Sequence, residues 1–210
     1  MFKNVAELLN VVEREPIRAK KRIRSGSSHG AKRIKPRRLN LGCGGDIRRG
    51  YVNLDIVYLP GVNVLHDLDT IPYPFKTDTF DEIYASHTIE HCRDLVQTMR
   101  ELHRILRPGG VVKVMVPYFA SPNAFRDPTH KVSFTSATYT YFAPHHSYHT
   151  PSFIVKKRRL LFFSCASFLK SRWYSWPIDV IINAITPVYE RCFCYLFPAS
   201  EIHFLLEVKK

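Results

Sequence analysis

The sequence predicts an α/β fold built on an open, mostly parallel sheet. Short apolar runs alternate with connectors and with a long amphipathic stretch, which is the pattern of such sheets. The run Val111–Val116 is apolar throughout, as expected of a strand that is buried on both faces. With 210 residues, 45% of them hydrophobic, the chain is long enough for one main domain with a full core.

The elements follow from periodicity and from turn residues. Strands are predicted at Arg38–Leu41, Tyr51–Ile56, Val62–Leu65, Phe80–Ala85 and Val111–Val116. Apolar residues at helical spacing predict a helix over Ile89–Leu106, and Arg107–Gly110 ends it. Further on, a sixth strand is predicted at Leu160–Phe168, a helix at Pro177–Tyr195 and a final alternating strand at Glu201–Val208.

The positive charge is concentrated at the N-terminus. Residues 1–38 contain twelve Lys or Arg against three Glu, a net of +9 out of the total of +13. We therefore predict a basic arm and linker over residues 1–37 and the folded domain over residues 38–210. The arm suits a polyanionic partner, either RNA or an anionic lipid surface, but a solvated tail that aids solubility fits equally well.

A glycine cluster follows the first predicted strand, in the order Leu41-Gly42-Cys43-Gly44-Gly45. Glycines at this place let the backbone approach a nucleotide-like ligand. In dinucleotide-binding proteins an acidic residue follows about 20 residues after a G-x-G-x-x-G pattern. Here Asp55 lies only 11 positions beyond Gly44, and Ile47 stands where the third glycine belongs. The spacing favours S-adenosylmethionine over a dinucleotide.

Further segments complete a recognisable order: Asn53-Leu54-Asp55, His66-Asp67-Leu68, Phe80–His91 and Leu102–Gly110. With the glycine cluster they resemble the class I S-adenosylmethionine-dependent methyltransferases, closely over about residues 38–117. Asp127–Lys131 and the final strand extend the resemblance loosely towards the C-terminus. The resemblance implies a Rossmann-like, seven-stranded, mostly parallel sheet with helices on both faces and an antiparallel C-terminal strand.

The resemblance also implies the roles of individual residues. The glycine loop would bend around the methionine end of S-adenosylmethionine, Asp55 would accept hydrogen bonds from the ribose hydroxyls, and Asp67 with the Leu68 backbone would meet the adenine. Ser86 and His87 would face the methyl group. The predicted cofactor-binding residues are Asn40, Gly42, Cys43, Gly44, Gly45, Asp55, Asp67, Leu68, Ser86 and His87. Taken singly, Asp55 also fits a turn cap and Asp67 an Asx turn.

One position departs from the family pattern. Many members carry an acidic residue two positions before the first glycine, where this chain has Asn40. An amide can form hydrogen bonds, but it offers no charge to the ammonium group of the ligand. A methyltransferase-like binding module without activity therefore stays open as an alternative.

Methyl transfer needs a general base only when the acceptor is a hydroxyl or a protonated amine. Histidines supply the candidates, and we predict His87 and His130 as catalytic residues, while His91 is expected to pack or cap a helix. His145, His146 and His149 have a spacing compatible with a metal site, but no carboxylate or cysteine stands near them. No metal is therefore predicted.

Two later segments allow more than one interpretation. Residues 118–157 are rich in aromatic residues and predict an irregular lid or substrate insertion, whose aromatic side chains form a substrate wall, pack on the core, or do both. The apolar segment Ile178–Leu196 fits a packed helix, a membrane-surface helix or a partner-binding face, and packing is favoured.

These observations predict a cytoplasmic methyltransferase that acts on a small-molecule, glycan or lipid-linked acceptor. An RNA methyltransferase anchored by the basic arm is the second hypothesis. The five cysteines form no CxxC pair, which is typical of a reducing compartment. Neither a signal peptide nor an apolar run of about 18 residues is visible, so no transmembrane segment is expected. The sequence does not indicate an oligomeric state.

Overall fold

The computed structural model describes residues 37–144, 151–163 and 176–210. Its strands are β1 Arg38–Leu41, β2 Val52–Asp55, β3 Val64–Leu65, β4 Phe80–Ser86, β5 Leu106–Pro117, β6 Phe153–Leu161 and β7 Glu201–Val208. Its α-helices are α1 Leu95–Ile105, α2 Asn123–Arg126, α3 Trp176–Ala184 and α4 Thr186–Val188. Short 3-10 helices cover Ile89–His91 and Thr138–Phe142, and a π-helical turn covers Tyr189–Phe193.

The seven strands form one sheet in the order β3-β2-β1-β4-β5-β7-β6. Strands β1 to β5 pair in parallel, and β7 runs antiparallel to both β5 and β6. This arrangement confirms the predicted fold class, including the antiparallel C-terminal strand. The order reverses between β1 and β4, so the loops that follow these two strands diverge and leave a crevice at their carboxyl ends.

The core lies along the central strands, whose apolar side chains are fully buried. Leu39 and Leu41 of β1, Ile83 of β4 and Val112 and Val114 of β5 are at most 1% exposed. Helix α1 packs on β5 and buries apolar side chains three to four residues apart, namely Met99, Leu102 and Ile105. The predicted apolar strands and the apolar face of the predicted helix therefore meet as expected.

The predicted helix over Ile89–Leu106 is divided in two. The 3-10 turn ends at His91, and Cys92 has extended backbone dihedrals, with φ −69° and ψ 138°. Asp94 then caps a new helix, because its side chain accepts a hydrogen bond from the backbone N–H of Gln97. This break was not predicted from the sequence.

Two later predictions were displaced. The sixth strand covers Phe153–Leu161 rather than Leu160–Phe168, so it begins inside the predicted lid. Residues 164–168 of that prediction lie outside the described part of the chain. The helix predicted over Pro177–Tyr195 is interrupted at Ile185, just before Pro187, whose ring cannot continue an α-helix without a break.

The predicted lid is mostly packed rather than open. Tyr118, Phe134, Tyr139 and Phe142 are buried in the core, which favours the packing interpretation of the aromatic residues. In contrast, Phe125 is 73% exposed. Residues 1–36 of the predicted basic arm and the histidines at 145, 146 and 149 lie outside the described residues. Within the described ranges, no helix has the length and apolar character needed to cross a bilayer.

Candidate active site

The predicted glycine loop follows β1 and turns sharply at two glycines. Gly42 has a φ of +59° and Gly44 a φ of +47°, a left-handed conformation that side-chain-bearing residues rarely adopt. The loop is tied to β2 because the N–H of Cys43 donates to the carbonyl of Leu54 at 2.9 Å. A turn then closes where the N–H of Asp46 donates to the carbonyl of Cys43 at 2.8 Å.

Gly42 is also required by a neighbour that the sequence analysis missed. The hydroxyl oxygen of Thr88 lies 3.1 Å from the carbonyls of both Leu41 and Gly42 and 3.0 Å from that of Ser86. A Cβ added at Gly42 would lie 2.2 Å from Cγ2 of Thr88. Thr88 therefore holds the start of the loop against the end of β4, and only glycine leaves room for that contact.

Asp55 is positioned at the end of β2 by two backbone hydrogen bonds. Its Oδ2 accepts from the N–H of Gly44 at 2.7 Å, and its Oδ1 accepts from the N–H of Val57 at 3.0 Å. A carboxylate has about four acceptor positions, so two remain for a diol. A Cβ built at Gly44 or Gly45 meets nothing within 4 Å, so the loop faces open space beside this carboxylate. This geometry fits the ribose and methionine portions of S-adenosylmethionine.

Asn40 has a structural role that accounts for the departure from the acidic pattern. It is 2% exposed, and its amide nitrogen donates to the carbonyl of Asp46 at 2.7 Å and to Oδ1 of Asn53 at 3.0 Å. A carboxylate has no N–H and could donate neither bond. Asn40 thus braces the far side of the glycine loop. Its direct contact with a cofactor stays a prediction.

Asp67 and Leu68 follow β3, next to the end of β2. Oδ1 of Asp67 accepts from the N–H of Asp69 at 2.9 Å, which is the Asx turn considered from the sequence. Asp67 remains exposed, and its role towards adenine stays a prediction. Ile56 and Val57, directly after Asp55, are 64% and 56% exposed and offer an apolar face that the sequence analysis overlooked.

His87 lies directly after Ser86 at the end of β4, with a φ of +51°. Its backbone N–H donates to the carbonyl of Met115 at 2.8 Å. Its side chain is 46% exposed and stands between two buried carboxylates, with Nε2 3.4 Å from Oε1 of Glu201 and Nδ1 3.4 Å from Oε1 of Glu90. A positive φ at a residue other than glycine is a strained arrangement, of the kind that clusters at functional sites.

The two carboxylates determine the protonation of His87. The neighbouring carboxylates, Glu201 first and then Glu90, raise the pKa of His87 to about 10, against the opposing effect of burial. The ring is therefore an imidazolium at neutral pH, and an imidazolium has no lone pair to accept another proton. A cationic contact suits this geometry better than the general base predicted from the sequence. Neither Glu90 nor Glu201 was singled out there, and Glu201 lies 114 positions away along the chain.

His130 lies in the lid beside His91. Its Nδ1 is 3.0 Å from the carbonyl of Ala124, and the centroids of the two histidine rings are 4.8 Å apart in an edge-to-face contact. Since a carbonyl only accepts, Nδ1 of His130 carries a proton, and in the neutral ring Nε2 is the nitrogen with the lone pair. His130 can therefore accept a proton, and its predicted catalytic role stays a prediction.

Comparison with known proteins agrees with this fold. Residues 46–114 match the model of a methyltransferase domain family. A solved S-adenosylmethionine-dependent methyltransferase from Mesorhizobium loti superposes with a TM-score of 0.51 at 16% identity, covering 82% of this chain and 90% of that one. The sheet order is that of the class I methyltransferase fold, and residues 46–114 are similar to a methyltransferase domain.

Two curated relatives match the chain over a shorter span. One is 2-methyl-6-phytyl-1,4-hydroquinone methyltransferase 1 of Oryza sativa subsp. japonica, 40% identical over 62 residues, which are 29% of this chain and 18% of the relative. The other is a demethylmenaquinone methyltransferase of Lysinibacillus sphaericus, 32% identical over 53 residues, 25% of this chain and 22% of the relative. The match thus spans about a fifth of the length of these relatives.

Proposed function

We propose that this chain transfers the methyl group of S-adenosylmethionine to a small molecule with a large apolar part. The observation that carries the proposal is the pairing of Gly44 with Asp55. This contact places a carboxylate at the edge of an open, glycine-lined space at the carboxyl ends of the strands. Such sheets bind nucleotide-like ligands at this edge.

Each site residue would contact a different part of the cofactor. The backbone of Gly44 and Gly45 would border the methionine end, and Asp55 would accept from the two ribose hydroxyls. Ile56 would cover one face of the adenine, with Asp67 at its edge. When bound, S-adenosylmethionine supplies a methyl group that its positive sulfur already activates. The chain would therefore act mainly by orienting the acceptor and excluding water.

Two observations support an apolar acceptor. The names of the two curated relatives refer to a phytyl hydroquinone and to demethylmenaquinone. In this chain, the segment after the π-helical turn exposes large apolar side chains, with Tyr195 at 78% and Leu196 at 71%. Tyr195 also contacts Phe119 at the start of the lid, with ring centroids 5.9 Å apart. An acceptor with an apolar tail would cover this surface.

We propose a cytoplasmic location. Cys43, Cys92, Cys192 and Cys194, the cysteines of the described ranges, are free thiols, as is usual in a reducing compartment.

Isothermal titration with S-adenosylmethionine tests the cofactor site. Asp55→Ala is expected to weaken binding by about 1–3 kcal/mol, because a hydrogen-bonded carboxylate would be lost from the ribose. Asp81→Ala is a matched control, since Asp81 pairs with Arg107 near the start of β4, away from the strand ends that border the site. Wild-type protein that binds no cofactor would refute the enzymatic function, and equal affinity in Asp55→Ala would refute the assignment of Asp55.

The acceptor class is tested separately, with tritiated S-adenosylmethionine and an extract divided into lipid, small-molecule, glycan, RNA and protein pools. We expect the label in the lipid or small-molecule pool. Label confined to RNA, and lost when residues 1–37 are deleted, would contradict the apolar acceptor and support the anchored RNA methyltransferase. Label in the glycan pool alone would also contradict it, while leaving the cofactor site intact.

A further inference from the structure

Three side chains near His87 form a compact group of metal-binding atoms. Glu90, His91 and His130 each offer one ligand atom, a carboxylate oxygen or an imidazole nitrogen, and these three atoms lie within 4.8 Å of one another. Two imidazoles and one carboxylate are a donor set that binds divalent transition metals such as Zn²⁺. The two ligand segments are joined directly, because the carbonyl of Glu90 accepts from the N–H groups of Lys131 and Val132.

The carboxylate of Glu90 has unused acceptor capacity. It is 1% exposed, and neither oxygen has a hydrogen-bond partner among the described residues. Its charged contact in the described structure is Nδ1 of His87, at the long distance of 3.4 Å. A buried carboxylate without hydrogen bonds is costly, and a bound cation would remove that cost.

The hydrogen bonds of the two histidines fix the tautomer that a metal requires. The Thr129 hydroxyl lies 2.7 Å from Oδ1 of Asp127 and donates to it, since an ionised carboxylate only accepts. The Thr129 oxygen can then only accept from Nδ1 of His91, at 2.8 Å. His130 donates from Nδ1 to the carbonyl of Ala124. In the neutral form of both rings, Nε2 is therefore the nitrogen with the free lone pair.

This pattern is the usual support of a metal site. Histidines that bind a metal through one nitrogen donate their other N–H to a carbonyl, a carboxylate or a group linked to one. His91 does so through Thr129 to Asp127, and His130 does so to Ala124. Packing alone would not require both rings to hold the same tautomer next to a buried carboxylate that accepts no hydrogen bond.

We propose that Glu90, His91 and His130 form a binding site for a divalent transition-metal ion, with Zn²⁺ as the best match. Bonds of about 2.0–2.2 Å to the ion require the three side chains to close slightly. Three protein ligands leave a fourth position open to water or to an oxygen of a substrate. The proposal stands apart from the function proposed above, because it predicts metal binding whatever the acceptor is.

The test uses the full chain, freed of metal with a chelator and titrated with Zn²⁺ by calorimetry, and with Co²⁺ by visible absorption. We expect one equivalent to bind and Co²⁺ to give the d–d bands of a site with four or five ligands. Loss of a residue that only supports a metal ligand typically weakens metal binding about 10–100-fold. The ligand variants Glu90→Gln, His91→Ala and His130→Ala should each weaken it more. Thr129→Val removes only the hydroxyl that supports His91, so its loss of metal affinity should fall within that range.

Two controls separate this site from other histidines. His103→Ala changes a half-buried histidine that contacts the carbonyl of Lys209, and this variant should bind metal as wild type does. The triple variant His145→Ala, His146→Ala, His149→Ala should also retain the metal. The proposal is overturned if wild type binds no metal, if the three ligand variants bind as tightly as wild type, or if only the triple variant loses binding. Where an alanine variant fails to fold, His91→Asn or His130→Asn replaces it.

Discussion

Replacing Gly42 by alanine should destabilise the protein much more than the same change at Gly44. Both glycines have a positive φ, and alanine in that region costs about 1–2 kcal/mol. At Gly42 the new Cβ would also lie 2.2 Å from Cγ2 of Thr88, and overpacking of this kind costs about 1–3 kcal/mol. The lower entropy of the unfolded alanine chain offsets about 0.4–1 kcal/mol.

The net expectation is a loss of about 2–4 kcal/mol for Gly42→Ala and about 1 kcal/mol for Gly44→Ala, where the added Cβ meets no atom within 4 Å. Urea unfolding followed by circular dichroism gives both values. Because Gly44 faces the open space, its alanine variant should instead lose affinity for S-adenosylmethionine.

A double-mutant cycle identifies the cause of the loss. In a Thr88→Ala background the overlaps with Cγ2 and Oγ1 are removed and only the 2.9 Å contact with Cβ remains, so Gly42→Ala should cost at least about 1 kcal/mol less than in wild type. If the two glycine variants lose the same stability, and the cycle with Thr88 shows no coupling, the reasoning from this close contact is wrong.

Two further predictions concern buried polar groups. Asn40→Asp should lower stability by about 1–3 kcal/mol, because two donated hydrogen bonds are lost and a charge is buried; thermal and urea unfolding measure this, and an unchanged midpoint would contradict the bracing role. Burial raises the pKa of Glu101, but hydrogen bonds from Arg104 and the Tyr73 N–H outweigh it, so that the pKa is lowered overall. Its stabilisation is present above the unfolded pKa of about 4.3 and is lost as the pH falls through the folded value, so the deficit of Glu101→Gln should shrink between about pH 5 and pH 3. A deficit constant with pH would show that charge is not its cause.

The fold was predictable where local patterns and burial agree. The apolar residues Ile202, Phe204 and Leu206 at every second position predicted the bounds of β7 without error, although the polar Glu201 and His203 between them are also buried. Strand β6 was misplaced because it lies at the sheet edge and carries the basic run Lys156–Arg159, which does not resemble a buried strand. The sixth strand was instead predicted on the apolar residues that follow, at Leu160–Phe168.

The site was predictable to the extent that its residues are close in sequence. Gly44 follows β1, and Asp55 ends the adjacent strand β2 11 positions later; this short spacing already assigned both residues to one predicted ligand site. Glu201 reaches His87 only because β7 returns antiparallel to β5 and places its first residue opposite Pro117. No local pattern marks such a contact.

Around the proposed cofactor site, the residues that support the glycine loop differ from those that would border the ligand. Asn40 and Thr88 are buried, and their polar groups are used within the protein. Gly44 and Gly45 instead meet no neighbour on their open side. Variation at the buried pair should therefore change stability first, whereas variation at the open glycines should change ligand affinity first. The same logic explains how the chain can do without the usual acidic residue: position 40 supports the loop through donated hydrogen bonds, which an amide provides and a carboxylate does not.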